Sequence, residues 1–236
     1  MAELPRRERV HVALFGGLVV AVGDRRVADW PTRRSAELVA LLALSERHRL
    51  VRDRVVDALW PHLDPDAGAA NLRKAAHHAR QALGRDDAVR LSGGTVALFP
   101  SCDVDTDVAD FERRAEAALR SGDGAACDAV GHPGELLPDL LYEEWTRAWR
   151  DRVRALHLAL LRLGGWWERL VDIDPSDEQA HRELMRAALA GGNRHAAIRW
   201  YGRLRTNLEH ELGLPPSPKS RALYEECGAG LGPAAP

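Results

Sequence analysis

The sequence predicts a fold that is mainly α with a small β part: a winged helix-turn-helix followed by an all-α TPR-like domain. Two observations lead to this prediction. A basic amphipathic segment, residues 64–83, has a short helical pattern before it and a strand, turn, strand pattern after it, which is the order of a winged helix. Beyond about residue 107 the apolar residues follow helical spacing, and two stretches align at an offset of 34 residues, the tetratricopeptide (TPR) period.

Length and composition are those of a globular protein. The 236 residues suffice for one large or two small cores, and the hydrophobic fraction of 45% is ordinary. No apolar run approaches a membrane span, and residues 1–10 lack the apolar segment of a signal peptide, so we expect a cytoplasmic protein without membrane association. Cys102, Cys127 and Cys227 form no metal or disulfide motif, so we expect reduced thiols, no metal and no cofactor.

The formal net charge of −2 conceals an asymmetry. Residues 1–104 hold 16 Lys and Arg against 13 Asp and Glu, whereas the remainder holds 17 against 22. The positive part is the one that contains the basic segment. A surplus this small predicts salt-sensitive binding of intermediate strength to a polyanion.

The first hundred residues predict a small antiparallel sheet, three helices and a hairpin. Thr32 can cap the first helix, and Val55, Val56 and Leu59 face inward in the second. The hairpin has a turn at residues 92–94. The predicted elements are strands at 10–15, 18–22 and 25–27, helices at 33–45, 51–59 and 64–83, and hairpin strands at 89–91 and 95–98. This order closes near residue 104.

The third helix has one apolar and one polar face. Leu72, Ala76, Ala79 and Leu83 share a narrow face that can dock on the domain. The outward residues are Asn71, Arg73, Lys74, His77, His78, Arg80 and Gln81. No acid lies between residues 67 and 85, and such side chains can hold phosphates and bond base edges. Taken alone, this is most often a solvated surface helix, but the winged-helix order favours nucleic-acid binding.

The second half of the chain is predicted to be helical after an acidic linker at residues 102–110. Its acids lack the Gly and distal Glu of a calcium loop, so we expect solvated linker carboxylates. One helix follows, then a long helix that starts at Leu140, and the 34-residue offset aligns Trp166 with Trp200. Helical spacing favours a core role for the tryptophans, with a ligand groove as the alternative. The Gly- and Pro-rich residues 229–236 predict a flexible tail.

Two series of motifs resemble one known family. The first comprises Leu59-Trp60-Pro61, Pro65, Ala69 to Leu72, Arg80 to Gly84, Asp105-Thr106-Asp107 and Phe111. The second comprises Leu136-Leu137-Pro138, Tyr142 to Trp145, Arg152-Val153-Arg154, Asp174-Pro175, Glu178, Ala180-His181, Glu211 to Leu214 and Pro218. These series resemble, in order, the DNA-binding half and the bacterial transcriptional activator domain (BTAD) of actinobacterial SARP/BTAD-type regulators. The match extends from about residue 10 to residue 226.

The resemblance implies an OmpR-like winged helix at residues 1–104, a TPR-like BTAD at 105–228, and a transcription activator that binds promoter repeats. The implied partners are double-stranded DNA and RNA polymerase, and a homodimer is a further expectation. The implied targets are secondary-metabolite gene clusters, such as those for antibiotic biosynthesis. By position, the third helix is the reader, through Asn71, Lys74, His77, His78 and Arg80. We expect phosphate anchoring by Arg73, Arg80, Arg33 and Arg34. The wing tip carries no Arg, which limits its contacts to the backbone and Thr95.

No enzyme signature is present: the P-loop, GxGxxG, HExxH and GxSxG patterns are absent from the sequence. We therefore expect no catalysis. Two alternatives stay open. One is a protein-interaction module, with the TPR-like half as the working surface and the winged helix as a scaffold. The other is the N-terminal regulatory fragment of a larger ATPase- or cyclase-like regulator, because similar N-terminal halves occur there.

Overall fold

A computed structural model describes residues 8–229 of the chain, with side chains up to 227. The predicted tail lies outside the described residues except for Ala229. The strands are β1 (Arg9–Ala13), β2 (Val19–Val22), β3 (Arg25–Val27), β4 (Arg49–Val51), β5 (Val89–Ser92), β6 (Thr95–Leu98) and β7 (Asp103–Thr106). The helices are α1 (Arg33–Leu44), α2 (Arg52–Leu59), α3 (Pro65–Leu83), α4 (Asp107–Ser121), α5 (Gly124–Val130), α6 (Arg147–Gly164), α7 (Trp167–Ile173), α8 (Glu178–Ala190), α9 (Arg194–Leu212) and α10 (Pro218–Ala229).

The described chain forms two compact units that interleave in sequence. The first contains residues up to 116 together with 131–156, and the second contains residues 117–130 and those from 157 onward. The functional division at residues 104/105 that the sequence suggests stays a prediction.

The N-terminal sheet has the strand order β3-β2-β1-β7. The three predicted strands pair antiparallel, as expected. The predicted linker is wrong, because β7 pairs parallel with β1 in the register Val10↔Val104, and α4 follows at once, although Asp103 and Asp105 are exposed as expected. The Asp107 carboxylate is not free: it accepts hydrogen bonds from the backbone N–H groups of Leu14 and Phe15 at 2.9 and 3.0 Å. Those amides follow the end of β1, and a carboxylate satisfies them as a helix cap would.

The winged-helix elements lie where the sequence places them. Thr32 caps α1 in a reciprocal capping box with Ser35. β5 and β6 form the predicted hairpin, whose turn residues Gly93 and Gly94 have φ values of 57° and 73°, as a type I′ turn requires. β4, which the sequence analysis missed, completes this second sheet in the order β4-β6-β5. The fully buried core residues of the winged helix include Leu38, Leu42, Leu59, Leu72 and Leu98.

The segment before α6 departs from the prediction of a long helix starting at Leu140. Residues 138–140 form a single 3₁₀ turn, and α6 begins only at Arg147. The Arg150 guanidinium stabilises the irregular backbone, because it donates to the carbonyls of Leu136, Leu137 and Leu141 at 2.9–3.1 Å. Side-chain donors thereby replace the helical bonds that these carbonyls would otherwise accept.

The second unit stacks α7 to α10. Asp177 caps α8 and Asn193 caps α9, each through a side-chain oxygen that accepts from a backbone N–H, and Gly213 ends α9 with φ 65°. The 34-residue equivalence does not hold residue by residue, since it would carry the turn at Gly165 to Arg199, which lies inside α9. Successive helices nonetheless pack in pairs around a core that includes Leu170. Trp166, Trp167 and Trp200 are partly buried against this core.

Candidate nucleic-acid interface

The third helix of the winged helix, α3, has strong signals at both ends. Its N-cap Asp64 accepts hydrogen bonds from the backbone N–H groups of Asp66 and Ala67 at 3.1 and 2.9 Å, and Pro65 takes the first helical position. At the other end Gly84 adopts a left-handed conformation, with φ 67°. Arg25 of β3 adds a bond from its Nη2 to the carbonyl of Ala82. These local signals explain why the sequence locates the helix correctly.

A glycine sets the distance between α2 and α3. A Cβ atom at Gly68 would lie 2.3 Å from Cγ1 of Val56, closer than real Cβ contacts. Val56 is a buried, β-branched residue with little rotamer freedom. Gly68 therefore permits the close approach of α2 and α3.

The outward face of α3 matches the helical projection. Arg73, Lys74, His77 and Gln81 are exposed, whereas Asn71, His78 and Arg80 are half-buried. Within residues 8–227, Arg73 and Lys74 make no ion pair. Their charges are therefore available to an anionic ligand.

The half-buried members of the set have structural contacts. Arg80 donates from Nε to the carbonyl of Val89 at 2.9 Å, which ties α3 to β5 at the base of the hairpin. The His78 ring lies 5.6 Å from that of His77, centroid to centroid, and its buried Nδ1 has no hydrogen-bond partner among the described residues. These two side chains have less freedom to meet a ligand than Lys74 and His77.

A notch of about 270 Å³ separates α3 from the hairpin. Its lining residues are Arg52, Ala69, Arg73, Leu91, Ser92, Gly93, Gly94 and Thr95. The backbone N–H of Arg52 donates to the carbonyl of Gly94 at 2.9 Å, and the Thr95 hydroxyl donates to Ser92, so the wing is attached to the start of α2. Two arginines, Arg52 and Arg73, thus line one notch that is large enough to admit a phosphate group.

The first helix presents its arginines differently. Arg33 pairs with Glu37 at 2.7 Å and with Glu143 at 2.8 Å, and Arg34 contacts the same two acids. The hydrogen bond that Arg33 donates to the Glu37 carboxylate is the main cause that raises the pKa of Arg33. Two acids balance the two cations, so a phosphate would have to displace an existing partner here.

Further basic residues, absent from the predicted site, precede and open α2. Arg49 of β4 and Arg52 and Arg54 of α2 are all exposed, and they lie in the first unit. Their signal in the sequence is the set of four arginines at positions 47, 49, 52 and 54, of which the last two fall in the segment predicted only as the second helix. The described residues bring together no group of three metal-ligating side chains, and none of the described helices is both long and apolar enough to cross a bilayer.

Known proteins share this arrangement. A family model described as "Bacterial transcriptional activator domain" matches residues 106–227, a little over half of the chain. The transcriptional regulatory protein MoaR1 of Mycobacterium tuberculosis is 27% identical over 223 residues, which cover 83% of this chain and 72% of that protein. MoaR1 of Mycobacterium bovis matches to the same extent. A solved structure titled "Mycobacterium tuberculosis EmbR in complex with low affinity phosphopeptide" matches with a TM-score of 0.71 and 19% identity over 96% of this chain and 67% of that one.

The fold and these matches define a transcriptional regulator with an N-terminal winged helix. The chain belongs to the bacterial transcriptional activator domain family, and it is of the SARP type that the sequence motifs resemble. The predicted fold class is confirmed by the full-length structural match.

Proposed function

We propose that this regulator is a sequence-specific DNA-binding activator that reads promoter repeats with α3. The observation that carries the proposal is the exposed, unpaired cationic face of α3 beside the notch bordered by Arg52 and Arg73. A helix of this kind can enter the major groove while flanking cations hold the phosphates. No catalytic step is part of the proposal.

Roles within the interface follow from exposure and existing contacts. Lys74 and His77 are the base readers, because they are exposed at the centre of the outward face, and Asn71, His78 and Gln81 flank them. Arg52 and Arg73 hold phosphate between helix and wing, with Thr95 and the Gly93-Gly94 backbone completing the contact. Arg80 positions the wing and reaches phosphate only with its remaining donors, and Arg33 and Arg34 are secondary anchors.

The family suggests the roles of the helical part. We propose that residues 105–228 contact RNA polymerase and form a homodimer that matches repeated half-sites, and that the target genes form a secondary-metabolite or similar cluster. Dimeric readers bind half-sites about one helical turn apart, so the spacing of the repeats is a direct geometric readout.

The test compares three single variants on a selected duplex and on random DNA. Lys74→Ala and His77→Ala should weaken binding to the selected duplex by roughly 1–3 kcal/mol each, because base contacts are lost. Arg73→Ala should weaken binding to both duplexes and reduce the slope of log K against log salt by about one. Fluorescence anisotropy across a salt series measures both. Equal losses on specific and random DNA for all three variants would contradict base readout by α3.

A further inference from the structure

A second pocket in the first unit lies away from the α3 face and is not used in the proposed function. It has a volume of about 370 Å³, which is within the range of small-molecule sites. Its lining comes from the end of α1 and the following turn, from the junction of β7 and α4, and from α6. The lining residues are Ala43, Leu44, Ser45, Glu46, Arg47, His48, Thr106, Val108, Ala109, Glu112, Trp149 and Arg152.

The floor of this pocket is apolar and aromatic. Val108 is buried, Ala43 and Leu44 are buried at the end of α1, and Trp149 is half-buried with part of its indole available. Ligands with flat hydrophobic rings gain the most binding free energy from such a surface, because they bury a large area against an indole and lose little conformational entropy.

The turn that forms one edge of the pocket is held in an uncommon backbone conformation. Arg47 and His48 have φ values of 52° and 54°, a region that L-residues other than Asn, Asp and His rarely adopt, so Arg47 is the unusual member. The His48 ring fixes the turn, since its Nδ1 lies 2.9 Å from the Ala43 carbonyl and its Nε2 lies 3.2 Å from the Val104 carbonyl. Strained backbone of this kind is concentrated at functional sites and ligand clamps.

The two arginines at the edge of the pocket, Arg152 and Arg47, differ in how closely they are paired with an acidic side chain. Arg152 Nε lies 2.6 Å from Glu112 Oε1, so these two charges balance each other. Arg47 has only a 3.8 Å contact with Glu46, and the two side chains are 89% and 91% exposed. A surface pair of that kind contributes little and exchanges readily. The Arg47 guanidinium is thus the group in the pocket that gains most from a new anionic partner.

We propose that this pocket binds a small aromatic acid, with its ring against Trp149 and Val108 and its anionic group on Arg47. A carboxylate or sulfonate can take a two-pronged hydrogen bond from the planar guanidinium. The inference does not depend on the DNA-binding role of α3, since none of the pocket residues lies on that helix.

The probe for the test is 1-anilinonaphthalene-8-sulfonate, an aromatic anion whose fluorescence rises in apolar sites. The native full chain should bind it saturably at one site. N-Phenyl-1-naphthylamine, which has the same rings without the sulfonate, should bind about tenfold more weakly because it lacks the charge-assisted contact. Equal affinity for the neutral probe would overturn the assignment of an acid.

Three variants locate the site, each checked for an unchanged thermal unfolding curve. Ala109→Trp places a large side chain at an exposed position of the pocket and should abolish saturable binding of the sulfonate. Arg47→Ala should weaken it by about tenfold. The matched control, Arg26→Ala, removes an exposed arginine from β3 outside the pocket and should change nothing. No saturable binding by the native chain, or unchanged binding by Ala109→Trp, would overturn the proposal.

Discussion

α3 and α9 are similar helices with different surroundings. Each has 19 residues, an Asp or Asn side chain capping its start and a left-handed glycine at its end. Basic residues are more frequent in α9, which carries Arg194, Arg199, Arg203 and Arg205, than in α3. The number of basic residues therefore does not by itself single out α3 as the candidate DNA-binding helix.

The environment of each helix separates their roles. α9 packs against both α8 and α10, and its Arg203 lies over the Trp200 ring, 4.7 Å from the ring centroid. The exposed face of α9 includes the apolar side chains of Ile198 and Leu212. α3 has no acid after Asp66 and no exposed large apolar residue, and it stands next to the wing notch. The surroundings of α3, more than its number of cations, therefore make it the candidate for nucleic-acid binding.

The largest expected difference between the two helices is in DNA affinity. Arg52→Ala/Arg73→Ala should lower affinity for any duplex by roughly 30-fold at low salt and reduce the slope of log K against log salt by about two, because two phosphate contacts are lost. Arg199→Ala/Arg205→Ala, which removes two exposed arginines of α9, should leave both quantities unchanged. Anisotropy titrations at several salt concentrations measure them. If Arg199→Ala/Arg205→Ala loses as much affinity as Arg52→Ala/Arg73→Ala, the proposed difference in DNA binding between the α3 face and α9 is contradicted.

A smaller difference is expected in stability, from a matched pair of helical glycines. Gly68→Ala in α3 should lower the free energy of unfolding by about 1–2 kcal/mol, because the clash with Val56 outweighs the better helix propensity of Ala. Gly202→Ala in α9, where a Cβ would meet no atom within 4 Å, should raise it by up to about 1 kcal/mol.

Urea denaturation measures both glycine variants. The double variant Gly68→Ala/Val56→Ala should lose less free energy of unfolding than the two single variants together, since alanine at position 56 removes the clash. Strict additivity, or a stabilised Gly68→Ala, would show that the crossing of α2 and α3 does not depend on this glycine.

The smallest effect concerns the attachment of α9 to α8. His181 is fully buried, with Nδ1 3.1 Å from the Trp200 carbonyl and Nε2 3.0 Å from the Pro175 carbonyl, and burial lowers its pKa. Burial therefore disfavours the protonated ring in the folded protein, whereas the unfolded His takes up a proton below about pH 6.5. Its contribution to stability is present above that pH and is lost as the pH falls.

The measurement is the free energy of unfolding at pH 7.5 and pH 5.5. His181→Gln should show a smaller decrease than the native chain, by about 1 kcal/mol or less. His195→Gln, which changes an exposed histidine of the same unit, should keep the native decrease. An unchanged decrease in His181→Gln would remove His181 as the cause.

The sequence predicted those parts of the fold that depend on local signals. The ends of α3 are set by neighbouring residues in the sequence, Asp64 and Pro65 at its start and Gly84 at its end. The Gly93-Gly94 turn fixes the hairpin in the same local way. β7 was missed because its partner β1 is remote in sequence and because aspartates are poor strand formers. The 3₁₀ segment at residues 138–140 was missed for a related reason: its carbonyls depend on the Arg150 side chain, which no helical pattern reveals.

The candidate site was predictable to a similar degree. Helical geometry alone gave the exposed face of Lys74 and His77. The pairing of Arg33 and Arg34 with Glu143 was not predictable, since that acid is remote in sequence. Arg52 became a candidate only when the structure placed it beside the wing, because its position depends on the pairing of β4 with β6.

The most direct test of base readout by α3 is selection of bound sequences from a random duplex library at near-physiological salt. The native chain, Lys74→Ala/His77→Ala and the α9 variant Arg199→Ala/Arg205→Ala are compared side by side. We expect a repeated motif to be enriched by the native chain and by the α9 variant, and to be lost with Lys74→Ala/His77→Ala. Absence of any enriched motif, or the same motif from all three proteins, would contradict sequence reading by this helix.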